Sequence, residues 1–217
     1  MAIAVNDLIT KVRAELNDES SDNYFWATDS LIGWLNSGLK EAVIHKPDIY
    51  VTVAAVLLIA GTLQTIPSGG VQLMDIVRNM GVAGTTPGNP ITIIDRQVLD
   101  TMYPAWHSMT AEAAVKHFIY NEQYPKVFYV FPPNTGTYVE AIYGATPPIV
   151  SAGGNIPLDD IWEPALIDYV CYRAYKRAGD NSPINAATAD AYYRSFLLAL
   201  GAKDAVEAMH DPNRRRA

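Results

Sequence analysis

The sequence predicts an α+β fold: a helical body made from the N- and C-terminal helices, with a β-rich antiparallel insertion between them. Three observations carry this expectation. Apolar residues near both ends of the chain recur at the spacing of a helix face. Between about residues 50 and 155 the apolar runs become short, β-branched and aromatic, and are punctuated by Pro, Gly and Asn. The 217 residues are 49% hydrophobic, enough apolar material to offset chain entropy and to exclude disorder over most of the length. The expected division is 1–50 for the N-terminal helices, 51–155 for the insertion, 156–209 for the C-terminal helices and 210–217 for a flexible basic tail.

In chain order, Asn6 or Asp7 offers an N-cap to a helix whose apolar stripe is Val5, Leu8, Ile9, Val12 and Leu16. "NDESSDN" breaks that helix, and Thr28 or Asp29 offers the next N-cap. Leu31, Trp34, Leu35, Leu39, Ala42 and Val43 follow with a period near 3.6 until Pro47 stops them. "VTVAAVLLI", "TLQTI" and "QLMDIVRNM" read as strands. "GVAGTTPGNP" reads as a loop, and "DRQVLDTMY" as a short helical turn ended by Pro104. "VKHFIY", "KVFYVF" and "TYVEAIYGA" complete the sheet, with "NEQYP" and "PPNTG" as hairpin separators.

Asn155 to Asp160 reads as an entry loop, and Asp160 with Glu163 has capping-box spacing ahead of a helix that Gly179 closes. Ser182-Pro183 is an N-cap followed by an N1 proline. Ile184, Ala187, Ala191, Ser195, Leu198, Ala202, Val206 and Met209 form a narrow stripe, predicted to pack against another helix.

The chemistry-bearing residues form no recognisable constellation. Four histidines are too scattered for a metal site, and neither H-x-x-x-H nor C-x-x-C occurs. There is no G-x-S-x-G elbow, and the single cysteine, Cys171, falls mid-helix where it reads as a small core residue. No catalytic residue, cofactor or metal is therefore predicted. A net charge of −7 argues against nucleic-acid binding by the whole surface. The longest apolar run, Val51 to Gly61, is too short to span a bilayer, and the N-terminus lacks the apolar core of a signal peptide. A soluble protein made in a cytoplasm is expected.

One helix is unusual. On a helical wheel, Trp162, Leu166, Ile167, Val170, Cys171 and Ala174 form an apolar arc, and Arg173 and Arg177 project within it. A guanidinium there either snorkels to water along an aliphatic stem or pairs with a carboxylate, inside the subunit or across a subunit boundary. Tyr169, Tyr172 and Tyr175 fall mainly on the other side, where aromatic rings suit a protein interface.

Several segments taken together are familiar: "DRQVLDTMYPAW", "VKHFIYNEQYPKVFYVFPP", "YVEAIYGATPPIV" and "IPLDDIWEPALIDYVCYRAYKRAGD", followed by a long alanine-rich helix. In pattern and order, roughly from Ile3 to Leu200, the chain resembles the head-to-tail adaptor (connector, or head-completion) proteins of short-tailed bacteriophages. The resemblance implies a structural protein of the virion neck, without enzymatic activity or cofactor. It implies a ring, usually of twelve copies, that joins the portal protein to the tail or nozzle protein. Genomic DNA would pass through the ring's channel without sequence-specific binding, and no membrane would be involved.

Such adaptors often send the C-terminal segment upward to grip the portal. That makes His210, Asp211, Asn213, Arg214, Arg215 and Arg216 candidate portal-binding residues, since three arginines can pair bidentately with carboxylates. A solvated tail and a DNA-phosphate contact are the competing readings of the same arginines. For the whole chain the alternatives are a tail-tube or nozzle ring component of the same virion, a virion-associated hydrolase, and a carbohydrate-binding module suggested by the aromatic residues of the insertion.

Overall fold

The computed structural model describes residues 2–20, 24–178 and 182–210, with side chains from residue 3 to residue 201 within those spans. The described residues form an α+β fold that divides into two compact units. One joins the residues up to Lys46 with those from Pro147 onward; the other is Pro47–Thr146.

In the first unit a short strand, β1 (Ala2–Ala4), leads directly into helix α1 (Val5–Glu15). Helix α2 (Thr28–His45) follows. The chain returns to this unit at Pro147 and forms β9 (Asn155–Asp159), a 3-10 turn at Asp160–Trp162, α4 (Glu163–Ala178) and α5 (Pro183–His210). Helix α4 is the hub, packing on α1, α2 and α5. The predicted stripes bury Leu8, Val12, Leu31, Leu35, Leu39, Val43, Leu166 and Val170. Asn36 ties the returning chain down: its amide donates to the Val150 carbonyl at 2.9 Å and its oxygen accepts from the Val150 N–H at 2.8 Å.

Several local expectations are corrected here. The N-cap of α1 is Ala4, not Asn6 or Asp7, because the chain enters the helix straight from β1 and the Val5 N–H is taken by the Gly154 carbonyl at 3.0 Å. The N-cap of α2 is Ala27, and Thr28 does not cap because its hydroxyl accepts from Arg13 at 3.0 Å. Asn155 to Asp160 is not an entry loop: Asn155–Asp159 is β9, antiparallel to β1 with Ile3 opposite Ile156. Asp160 and Glu163 form no capping box. A 3-10 turn runs directly into α4, and the Glu163 carboxylate is paired with Lys11 at 2.7 Å.

Most of the described part of the α5 stripe points the other way, Ser195, which donates to Asp168 of α4 at 2.6 Å, being the exception; the side chains of Ala202, Val206 and Met209 lie outside the described residues. Ile184 is 78% and Leu198 70% exposed, whereas Ala189, Phe196 and Leu200 are buried. Phe196 offers far more apolar area than the alanines, so the face that carries it wins the core. Gly179 lies outside the described residues.

The second unit holds a three-stranded sheet in the order β2 (Val51–Leu57), β8 (Tyr138–Ala145), β4 (Gly70–Asn79). It also holds a four-stranded sheet in the order β3 (Gly61–Thr65), β7 (Val127–Asn134), β6 (His117–Tyr120), β5 (Thr92–Ile93). Their inner faces share one core, including Val56, Leu73, Ile76, Phe118, Phe128, Val130, Val139 and Ala141. Alternation along β2 and β8 sends every second side chain into this core. Helix α3 (Arg96–Met102), capped by Asp95, and a 3-10 turn at Trp106–Ser108 cover the outer face of the second sheet through Leu99, Trp106, Ile119 and Phe131.

The expected antiparallel pattern holds except that β5 runs parallel to β6. Strand β7 also continues through Pro132-Pro133, where a hairpin separator was expected. It can do so because β6 pairs only as far as Phe131, so the ladder needs no N–H from either proline.

Candidate functional site

The two arginines of α4 sit in different settings. Arg173 is half-buried and donates to the Tyr169 hydroxyl at 3.4 Å. That hydroxyl donates to Glu41 Oε2 at 3.2 Å, and Tyr193 donates to Glu41 Oε1 at 2.8 Å. A phenol thus stands between the guanidinium and the carboxylate. Among the described residues Arg173 makes no ion pair within 4 Å. The Tyr169 ring lies against Gly38, where a Cβ would come within 2.7 Å of it, and the ring is only 1% exposed.

The tyrosines expected at an external interface instead form the seam between α4 and α5. Tyr169 meets Phe196 edge-on at 5.1 Å, Tyr172 packs on Tyr193 at 4.8 Å, and Tyr175 stacks on Tyr192 at 5.6 Å.

This seam has a pH signature. The Tyr193 phenol is pushed up to about 12, chiefly by the hydrogen bond it donates to Glu41. Tyr192 also reaches about 12, chiefly through burial. Burial raises Tyr169 as well, with Arg173 opposing it. The folded chain therefore keeps protons that the unfolded chain releases above its ordinary phenol value of about 10. This contribution is intact below pH 10 and is lost as pH rises toward 12. Thermal melts across that window are expected to show a steepening loss of stability, and Tyr193→Phe a shallower one. An unchanged slope in Tyr193→Phe would dissociate the Tyr193–Glu41 bond from the alkaline transition.

Arg177 is exposed, with its guanidinium carbon 6.0 Å from the centre of the Trp26 ring. With Phe25, Trp26, Ala27, Ser30 and Ala178 it lines an open hollow of about 380 Å³. The loop that presents Phe25, 77% exposed, is held by a buried ion pair not anticipated from the sequence. Arg13 Nη1 meets Asp18 Oδ2 at 2.5 Å, with 7% and 6% of the two side chains exposed. Asp18 also accepts from the backbone N–H groups of Phe25 and Trp26 at 2.7 and 3.2 Å. Arg13 donates to the Trp26 carbonyl, and the Tyr24 ring covers its guanidinium at 3.6 Å. The available signal was an arginine inside the apolar stripe of α1, which must find a partner wherever it is buried.

Of the candidate portal-binding residues, His210 is the last residue of α5, and Asp211, Asn213, Arg214, Arg215 and Arg216 lie outside the described residues. In the second unit a recess of about 900 Å³ is lined by Arg96, Tyr120, Glu122, Tyr124 and Tyr129 among others. Among the described residues no group of three or more His, Cys, Asp or Glu is placed to hold a metal ion. No described helix is long and apolar enough to cross a membrane. The Cys171 thiol is fully buried and pushed up to about 12, first by burial and then by Glu15 and Asp168, so it carries little thiolate. The features suited to contact are an aromatic-cationic hollow on the helical unit and apolar strand surface on the β unit.

No curated protein gives a significant match to the chain. The family model of the SU10 adaptor protein matches residues 3–216, nearly the whole chain, and its name indicates a structural role as a bacteriophage adaptor. The chain belongs to the SU10 adaptor protein family.

Proposed function

We propose that this adaptor assembles as a ring, of twelve subunits, between the portal vertex and the tail or nozzle of the virion, and that the ring extends the channel through which DNA leaves the head. The observation that carries this reading is the family match from residue 3 to residue 216. Composition supports it. A body of net charge −7, multiplied around a ring, repels phosphate and lets DNA slide, because tight DNA binding needs clustered Lys and Arg. The role is structural, with no catalytic step.

In this reading Arg214, Arg215 and Arg216, with His210, Asp211 and Asn213, dock on acidic groups of the portal. In the same reading Arg177 and Arg173 make contacts across the subunit boundary; the exposed Phe25 beside Arg177, and the absence of an ion pair for Arg173 among the described residues, support it. Negative-stain images of the purified protein with and without portal test the ring. The tail is tested by cutting the chain after Met209. Melting temperature is expected to stay nearly unchanged, while co-sedimentation with portal weakens and is lost at lower salt than for the full chain. Full-strength binding by the truncated chain would leave the arginines as a solvated end.

A further inference from the structure

Strand β2 is an open edge. It pairs with β8 on one side, in a register that places Tyr50 against Ala145 and Leu58 against Thr137. At those two positions the Ala145 N–H reaches the Tyr50 carbonyl at 2.9 Å, and the Leu58 N–H reaches the Thr137 carbonyl at 3.0 Å. In an antiparallel ladder the bonded residues alternate, so Thr52, Ala54 and Val56 face β8. The N–H and C=O groups of Val51, Val53, Ala55 and Leu57 face outward, where the described residues offer no partner. Their side chains occupy the outer sheet face, with Val51 41%, Val53 59% and Leu57 54% exposed. Beside this edge lies an open hollow of about 380 Å³, lined by Ala55, Leu57, Ile59, Thr65, Ile66 and Pro67 among others.

Free edges are usually protected by charge, proline or brevity. The other edges of this unit are protected. The Asn89–Ile91 segment and Pro125 hydrogen-bond along β4, β5 has two residues, and β3 is short and bulged. β2 has no such protection. From Ile49 to Met74 the sequence contains no charged residue and no histidine. The charges of this sheet face lie inward of the edge strand, where Glu140 of β8, opposite Ala55, is paired with Arg78 of β4 at 2.8 Å.

We infer that β2 pairs antiparallel with β2 of a second copy of this chain, making a continuous six-stranded sheet. The edge is self-complementary. With the two-fold axis at Ala54, Val51 lies opposite Leu57 of the second copy and Val53 opposite its Ala55, and every outward N–H and C=O of the strand is satisfied. The same register sets apolar side chains opposite one another across the new seam. An uncharged strand meets its own copy without like-charge repulsion. A charged partner strand would find no complement here, and no other described strand of the chain has a free edge of this length. The contact is two-fold, so it is distinct from the head-to-tail contacts of the proposed ring.

The test uses the full chain in sedimentation over a concentration series, together with amide hydrogen exchange. Above the dissociation constant, the Val51, Val53, Ala55 and Leu57 amides are expected to be protected, and below it to exchange freely. Those of Thr52, Ala54 and Val56 are expected to stay protected throughout. Ala55→Pro spares the β8 ladder, because the Ala55 N–H points outward, and is expected to raise the dissociation constant at least tenfold. Val53→Lys, which keeps every N–H, is expected to do the same. Three results would overturn the inference: a monomer at all concentrations, a folded Ala55→Pro variant that associates like the parent, or outward amides that become protected only when portal or tail protein is added. A ring whose outward β2 amides exchange freely would refute the edge pairing and leave the ring intact.

Discussion

Arg13→Ala is expected to cost about 3–5 kcal/mol, because it leaves a buried carboxylate without its cation. For a chain of this size that corresponds to a fall in melting temperature of roughly 6–20 °C. Both partners of the pair are more than nine-tenths buried, so water screens little of the loss. Asp18 would keep two backbone donors, from Phe25 and Trp26. These hold the carboxylate in place without neutralising it, and the Trp26 carbonyl and Thr28 hydroxyl would lose their donor as well. Phe25 and Trp26 would thus lose the contacts that fix them, and with them the presentation of Phe25 beside Arg177. Arg13→Met combined with Asp18→Asn is expected to cost less than the sum of the single changes, since neither leaves a bare charge. Chemical denaturation of the four proteins measures the coupling. A loss below about 1 kcal/mol in Arg13→Ala would mean that solvent reaches the pair.

That ion pair marks a boundary of what the sequence makes legible. The helix faces were readable because each stripe concentrates Leu, Val and Ile on one side, and burying that side decides orientation. The strands of the insertion were readable for the same reason at period two. The α5 face was not, because Ala187 and Ala191 have the same spacing as the face that carries Ala189 and Phe196, and the size of one phenylalanine settled the choice. Capping was misread wherever tertiary partners took the backbone or side-chain groups first, as Gly154 does at Val5, Arg13 at Thr28 and Lys11 at Glu163. Strand β1 is three residues long, too short for any period to show.

The candidate surfaces divide along the same line. The α4 tyrosines have the residue type of an interface, and only the position of α5 reveals that they are internal. The exposed edge of β2 depends on which strand neighbours which, and strand order is set by long-range pairing rather than by any local pattern.

Trp106→Ala is expected to cost roughly 3–5 kcal/mol in the β unit, the range for removing a large buried aromatic side chain. Trp106 is 1% exposed. Its ring stacks on His107 at 3.6 Å and meets Tyr129 and Phe131 edge-on at 6.0 and 6.5 Å. Its N–H donates to Asp100 Oδ1 at 2.9 Å, tying the 3-10 turn back to α3. The cluster around it is separate from the core between the sheets and, among the described residues, has Leu99, Ile119 and Phe131 as its further buried members. Losing the indole therefore removes most of what fastens the α3 layer, while Phe118, Phe128 and Val130 keep their neighbours. The damage should be uneven. Amide exchange along Arg96–Ser108 is expected to rise strongly, and the Phe118 and Val130 amides to keep most of their protection, because a weakly fastened layer opens before the sandwich does. Trp106→Phe keeps the edge contacts and loses the bond to Asp100, for about 1 kcal/mol beyond the lost ring area. Uniform loss of protection across both sheets in Trp106→Ala would show instead that the α3 layer and the sandwich unfold as one cooperative unit.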